Sequence, residues 1–100
     1  MIQEITVTDN IVLVSLSDNI YVEEAAVLRA SLIGYIEKGH NQFIIDLSRV
    51  DYIDSSGLGT LVAIQKRAMK NGGSVIIKGI KGFVKDLFEM TRLTKVFDIQ

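Results

Sequence analysis

The residues best suited to chemistry stand in one short stretch, Val50-Asp-Tyr-Ile-Asp-Ser-Ser-Gly-Leu-Gly59, where two hydroxyls and two glycines separate an apolar run from an amphipathic one. A strand feeding a helix at this junction leaves the first backbone N–H groups of the helix without partners and gives that end a partial positive charge. Such an end accepts a side-chain oxygen or a phosphate at low cost. Asp54, Ser55 and Ser56 are all favourable caps, and the pattern places Ser55 as the N-cap, near the surface and open to modification. A phosphate there adds about −1.5 to −2 charge where the helix dipole favours it, so the fold should tolerate it. A protein docked on this turn would instead meet a dianion where it expects a hydroxyl, and burying that group unpaired is costly.

Gly57 and Gly59 flank Leu58 in the first turn, where each glycine costs roughly 0.8–1 kcal/mol of helix propensity relative to alanine. Either the missing side chains let another backbone or a ligand come close, or they relieve crowding where the helix packs on a sheet. Catalytic patterns do not assemble here. A nucleophile elbow requires Gly-x-Ser-x-Gly and a histidine base, but Tyr52 and Ile53 precede Asp54, and the single histidine, His40, lies before the strand. The dinucleotide fingerprint lacks its third glycine, since Thr60, Leu61 and Val62 follow Gly59, and no Gly-Lys-Ser/Thr phosphate loop occurs. With no cysteine and one histidine, thiolate sites are excluded and no metal or other cofactor is expected; Asp46, Asp51 and Asp54 read as strand-end acids. The function class is a binding protein rather than an enzyme.

A chain of 100 residues, 48% hydrophobic and 23% charged, has the length and balance of one ordinary globular domain, residues 1–100. The N-terminus carries no secretory pattern and no apolar run reaches membrane-spanning length, so a cytoplasmic protein without a membrane span is expected. Through Asp54 nine acids and three bases give −6, and from Ser55 onward three acids and eight bases give +5. Lys66, Arg67, Lys70, Lys78, Lys81 and Lys85 either form a basic patch or line solvated helix faces. A pI near 5.7 speaks against direct nucleic-acid binding.

Periodicity supplies the elements that must hold the junction. Ile2 to Thr8 and Asn10 to Leu16 alternate around a tight turn at Asp9, as in a β-hairpin. Ala25, Leu28, Leu32 and Ile36, with Ala26, Val27, Ile33 and Tyr35 widening the stripe, predict a helix over Val22 to Glu37 stopped by Gly39. Gln42 to Leu47, with Phe43, Ile44 and Ile45 in succession, predicts a central strand buried on both faces. A second helix follows over Ser56 to Asn71, turning Leu58, Leu61, Val62, Ile64, Ala68 and Met69 inward, then a strand over Ser74 to Lys78. Residues Lys81 to Thr91, with Phe83, Val84, Leu87, Phe88 and Met90, predict a third helix, and Lys95 to Ile99 a last short strand. The order ββαβαβαβ is an α/β fold: a mixed, mainly parallel sheet, with helices on one face if successive strands keep advancing in one direction.

The segment Ile44-Ile-Asp-Leu-Ser-Arg-Val-Asp-Tyr-Ile-Asp-Ser-Ser-Gly-Leu-Gly59, with Leu61-Val62, Gly72-Gly73 and Val84-Lys-Asp-Leu-Phe-Glu-Met-Thr-Arg-Leu93, resembles the STAS domain of bacterial anti-sigma factor antagonists over nearly the whole chain. The resemblance implies a STAS-like fold and a partner-switching regulator. Its unphosphorylated form would bind an anti-sigma factor that is also a serine kinase and so release the sigma factor. That kinase would inactivate it by phosphorylating the serine matching Ser55, between Asp54 and Ser56, and a metal-dependent serine phosphatase would reverse the mark. Partner contacts would fall on Asp54, Ser55, Ser56, Gly57, Leu58 and Gly59.

One segment departs from the family. A Gly-x-Leu/Ile-Asp stretch before the first helix of many members reads Asp18-Asn-Ile-Tyr21 here, with Asp18 for the glycine and Tyr21 for the partner-contacting aspartate. Tyr21 is then either an aromatic interface anchor or a turn residue packed on its own helix. Two other functions compete: a STAS accessory subunit of a signalling or lipid-transport complex without a phospho-switch, and a module binding a small nucleotide at the start of the second helix.

Overall fold

The computed structural model describes residues 1–100, with Ile2 described by its backbone alone. Strands β1 (Ile2–Thr8) and β2 (Ile11–Ile20) form an antiparallel hairpin, and helix α1 (Val22–Glu37) leads to β3 (Gln42–Ile53). Helix α2 (Ser55–Lys70), β4 (Ser74–Lys78), α3 (Gly82–Met90) and a single 3₁₀ turn (Leu93–Lys95) precede β5 (Asp98–Ile99). The sheet order is β1-β2-β3-β4-β5, with every pair after the hairpin parallel. This is the predicted mixed α/β architecture. The two-residue hairpin turn holds Asp9 and Asn10 at φ 52° and 66°, the left-handed region that these short polar side chains tolerate best among non-glycine residues.

Because each crossover moves the chain one strand further in the same direction, right-handed connections lay all three helices on one face. The burial pattern follows. Val12, Val14 and Leu16 of β2, Phe43, Ile45 and Leu47 of β3, and Val75 and Ile77 of β4 join Leu28 and Leu32, Leu61 and Ile64, and Val84 and Phe88 in one apolar cluster. Burying each such side chain is worth about 1.5–3 kcal/mol, so this one-sided layer carries most of the fold's stabilisation. The alternate residues Leu13, Ile44 and Ile76 point away from that layer and are only partly covered. Strand β3 is thus buried on one face where the apolar run Phe43-Ile44-Ile45 predicted two.

Strands β2 and β3 outrun their expected ends at Leu16 and Leu47, and the extension brings them to the functional junction. Along this extension β3 twice advances one residue further than β2, between Ser15 and Ser17 and between Asp18 and Asn19. Such bulges bend a strand and break its alternation, which hides it from a period-2 reading. Asp18 sits at the second bulge with φ 66°. That left-handed conformation favours glycine, and aspartate adopts it more readily than most other residues.

The last strand is shorter than the predicted Lys95 to Ile99. Arg92 turns left-handed, the 3₁₀ turn follows, and the Gln65 amide donates to the Val96 carbonyl at 2.6 Å, holding the segment against α2 while Phe97 is buried beside Phe88. At the other end of β3's straight half, burial works against ionisation of Asp46. It is outweighed by hydrogen bonds from the Ser48 N–H and hydroxyl and by the charges of Lys78 and Arg49, which together hold the carboxyl below the usual carboxylate range. A depressed carboxyl pKa contributes stability that is fully present above the unfolded-state value and is lost as pH falls through the folded-state value. In an acid series of thermal melts, Asp46→Asn is therefore expected to flatten the decline of Tm below about pH 4; an unchanged acid limb would show that Asp46 contributes nothing to it.

Candidate functional site

The site is built by three chain ends meeting at one edge of the sheet: the end of β2, the end of β3 and the start of α3. Asp54, not Ser55, is the N-cap of α2: its Oδ1 accepts from the Gly57 N–H at 3.0 Å, and its carbonyl accepts the first helical bond, from Leu58 N–H at 3.0 Å. The carboxylate reaches the orphan N–H of the first turn and starts the helix one residue earlier than the hydroxyl pattern predicted. Asp54 N–H also donates to the Ile20 carbonyl at 3.1 Å, tying the turn to β2. Ser55 becomes the first helical residue. It is exposed, and its hydroxyl takes no hydrogen bond from the described residues. Asp54→Ala is expected to cost about 1 kcal/mol through loss of the cap, read as a lower midpoint in urea at unchanged slope.

The two glycines divide between the alternatives the sequence left open. A Cβ on Gly57 would lie 2.5 Å from Ile53 Cγ1 and 3.0 Å from Ile20 Cγ2, both on fully buried side chains, so this glycine relieves crowding under the helix. A Cβ on Gly59 would meet nothing within 4 Å, and Gly59 is exposed. Leu58 and Gly57 face inward, while Ser55 and Gly59 look outward with Ser56 partly covered between them.

Tyr21 reaches beyond its own helix to join rings of two other elements. Its ring lies 5.4 Å from that of Tyr52 on β3, and Tyr52 stacks on Phe83 of α3 at 5.2 Å and 11°. The three rings are 48%, 36% and 50% exposed and form a pre-ordered aromatic string beside the Ser55 turn. Aromatic pairs of this kind are worth about 0.5–1.5 kcal/mol beyond their burial, which fixes the rings before any partner arrives. Periodicity alone counts Phe83 in the inward stripe of α3, and the structure turns it outward instead. The available signal was its place at the first turn, one position before Val84, which alone faces the core there.

A hollow of about 460 Å³ beside the string is lined by Tyr21, Val22, Glu23, Glu24 and Asp54. Glu24 is spoken for, since its carboxylate accepts the Tyr21 N–H at 2.9 Å and caps α1. Three carboxylates and no cation line this hollow, so a phosphate on Ser55 would find no lysine or arginine there to fold back onto. His40 lies elsewhere, its N–H bonded to the Tyr35 carbonyl and its ring 6.0 Å from that of Tyr35. Among the described residues no three of His, Cys, Asp and Glu converge as metal ligands would. No helix among them is long and apolar enough to cross a membrane.

This arrangement, a serine-bearing helix start presented at the end of a one-sided mixed sheet, is that of a known domain class. The STAS domain sequence pattern matches residues 3–100, and the chain belongs to the STAS domain family. Among its relatives, the anti-sigma-B factor antagonist of Bacillus subtilis is 35% identical over 91 residues, covering 91% of this chain and 83% of that protein. The crystal structure of an anti-sigma factor antagonist from Mycobacterium paratuberculosis shares the fold with a TM-score of 0.87 at 23% identity, covering 98% of this chain and 83% of that one. The phosphorylated form of SpoIIAA, a Bacillus cell fate determinant, matches with a TM-score of 0.81 at 19% identity, over 99% of this chain and 91% of its own.

Proposed function

We propose that this protein is a cytoplasmic anti-sigma factor antagonist, acting as one unit over residues 1–100, whose unphosphorylated form binds an anti-sigma factor with serine kinase activity and thereby releases a sigma factor. Phosphorylation of Ser55 ends that complex, and a serine phosphatase restores it. The observation that carries this reading is the exposed Ser55 at the start of α2, its hydroxyl unengaged by the described residues and its helix capped independently by Asp54. Because the cap does not use Ser55, a phosphate can be added without dismantling the helix start. The name of the 35%-identical Bacillus subtilis relative and the match to a phosphorylated family structure support the same reading.

In this reading the partner covers Asp54, Ser55, Ser56 and Gly59, takes the aromatic string at Tyr21 as an anchor, and relies on Gly57 and Leu58 only to set the helix from below. The partner must seat a neutral hydroxyl against the helix start, and a dianion in its place stays unpaired at a surface already carrying Glu23, Glu24 and Asp54. The test is an affinity capture from the native host with Ser55→Ala and Ser55→Asp baits. A kinase-fold partner retained by the first and lost by the second is expected; equal retention by both sinks the switch.

A further inference from the structure

The helix-free face of the sheet carries an apolar row beside a row that holds two acids and a lysine. Strand register sets its rows. Thr6, Leu13, Ile44 and Ile76 lie side by side across β1 to β4, and Glu4, Ser15, Asp46 and Lys78 form the next row. None of Leu13, Ile44 and Ile76 packs against the core, and Leu13 is 37% exposed. Glu4, Thr6, Leu13, Ser15, Ile44, Asp46 and Lys78 surround a shallow depression of about 200 Å³ on this face. The only ion pair that Glu4 makes among the described residues is an open one to Arg49 at 3.8 Å, with both side chains mostly exposed, so it is available to a second cation.

We propose that this face binds a second copy of the chain, sheet against sheet, about a two-fold axis running parallel to the strands between β2 and β3. Such an axis exchanges left and right across the sheet and keeps each row at its own height. It therefore sets β1 over β4 and β2 over β3 of the second copy. Leu13 then opposes Ile44 twice, Thr6 opposes Ile76 twice, and Glu4 opposes Lys78 twice, at the roughly 10 Å spacing of packed sheets. Charge order favours a copy: Glu4 stands on β1 and Lys78 on β4, so the two-fold operation brings these opposite signs together at both sides, while Asp46, which already feels the Lys78 charge of its own chain, faces Ser15 of the second copy. The alternative axis, perpendicular to the strands, would lay the row of Glu4 and Lys78 over the threonine end of the sheet and bring no Glu4 to a Lys78.

Ser55 lies beyond the far end of β3, nine residues past Asp46 in sequence, so the proposed contact leaves it clear. An axis parallel to the strands also turns both Ser55 sites toward the same side, where one partner with two sites could engage them together and gain avidity. The inference is independent of the phospho-switch and survives its failure.

Sedimentation equilibrium of the full chain, from about 1 µM to 1 mM, tests it directly. A monomer–dimer equilibrium is expected, with Glu4→Lys and Lys78→Glu each weakening it by about tenfold or more through two like-charge contacts. An equimolar mixture of the two variants is expected to dimerise at least as well as the wild type, because each reversed charge then meets its complement. Circular dichroism on each variant establishes that it is folded, and the mixture itself guards against a trivial loss. A wild type that stays monomeric throughout overturns the proposal and leaves the face to a different protein. A dimer that both single variants retain, or that the mixture does not restore, overturns it equally.

Discussion

Phosphorylation of Ser55 is expected to lower affinity for the proposed kinase partner about a hundredfold, while moving Tm by no more than a few degrees. Two opposed consequences of one position produce this. For the isolated chain, the added charge lies at the start of α2, where the helix dipole favours an anion by about 0.3–1 kcal/mol. Asp54 continues to bond Gly57 N–H, so the cap is intact. For the complex, the dianion must be desolvated against a surface fitted to a hydroxyl and next in sequence to the Asp54 carboxylate. A penalty of about 2.7 kcal/mol already accounts for the hundredfold change. Ser55→Asp places one charge, closer to the backbone, and is expected to give roughly a tenfold loss. Calorimetric titration of the purified kinase with each form, beside thermal melts, separates the halves: a large drop in Tm would recast Ser55 as a structural residue.

Replacing the two glycines of the same turn by alanine is expected to produce effects of opposite sign on stability. Gly57→Ala drives a methyl to 2.5 Å from Ile53 Cγ1 over a layer where Ile20 and Ile53 are fully buried. Overpacking of this kind costs about 1–3 kcal/mol, more than alanine's helix preference returns, so Tm should fall by about 4–8 °C for each net kcal/mol. Gly59→Ala meets nothing within 4 Å and gains up to about 0.8–1 kcal/mol of helix propensity, so Tm should rise. If Gly59 is kept open for a partner's backbone, the same substitution weakens binding although the free protein is more stable. Differential scanning calorimetry with a binding titration reads both. A Gly59→Ala chain that is more stable and binds normally would remove Gly59 from the interface.

Helix α1 was legible to its ends because its inward residues Ala25, Leu28 and Leu32 repeat without interruption and Gly39 follows. Its stripe was nonetheless read too wide: Val27 is 55% exposed and Ala26 is exposed too. In α2 the same excess put Met69 inward, whereas Met69 is exposed and the polar Gln65 is buried to reach Val96. Periodicity reports which face is mainly apolar; it does not register a long-range bond that draws a glutamine under a neighbouring segment. Strands β2 and β3 outrun their period-2 signal for a related reason, since β3 bulges between Asp46 and Arg49 and between Val50 and Tyr52, breaking alternation although pairing with β2 continues. The residues past that signal include Tyr52, so the aromatic string beside Ser55 was not visible either.

Local chemistry written along the chain thus determined the alternation of strands and helices, a helix start within Asp54-Ser55-Ser56 and the resemblance to STAS domains, because each depends on neighbours a few residues apart. Which side chain caps that helix, which glycine is crowded and which is open, the meeting of Tyr21, Tyr52 and Phe83, and the bare face of the sheet were decided only by tertiary structure. The cap and the crowding of Gly57 are settled by geometry within a few residues that residue types alone do not fix, whereas the aromatic string and the bare face join residues far apart in sequence, set by strand register and by the side of the sheet on which the crossovers pack.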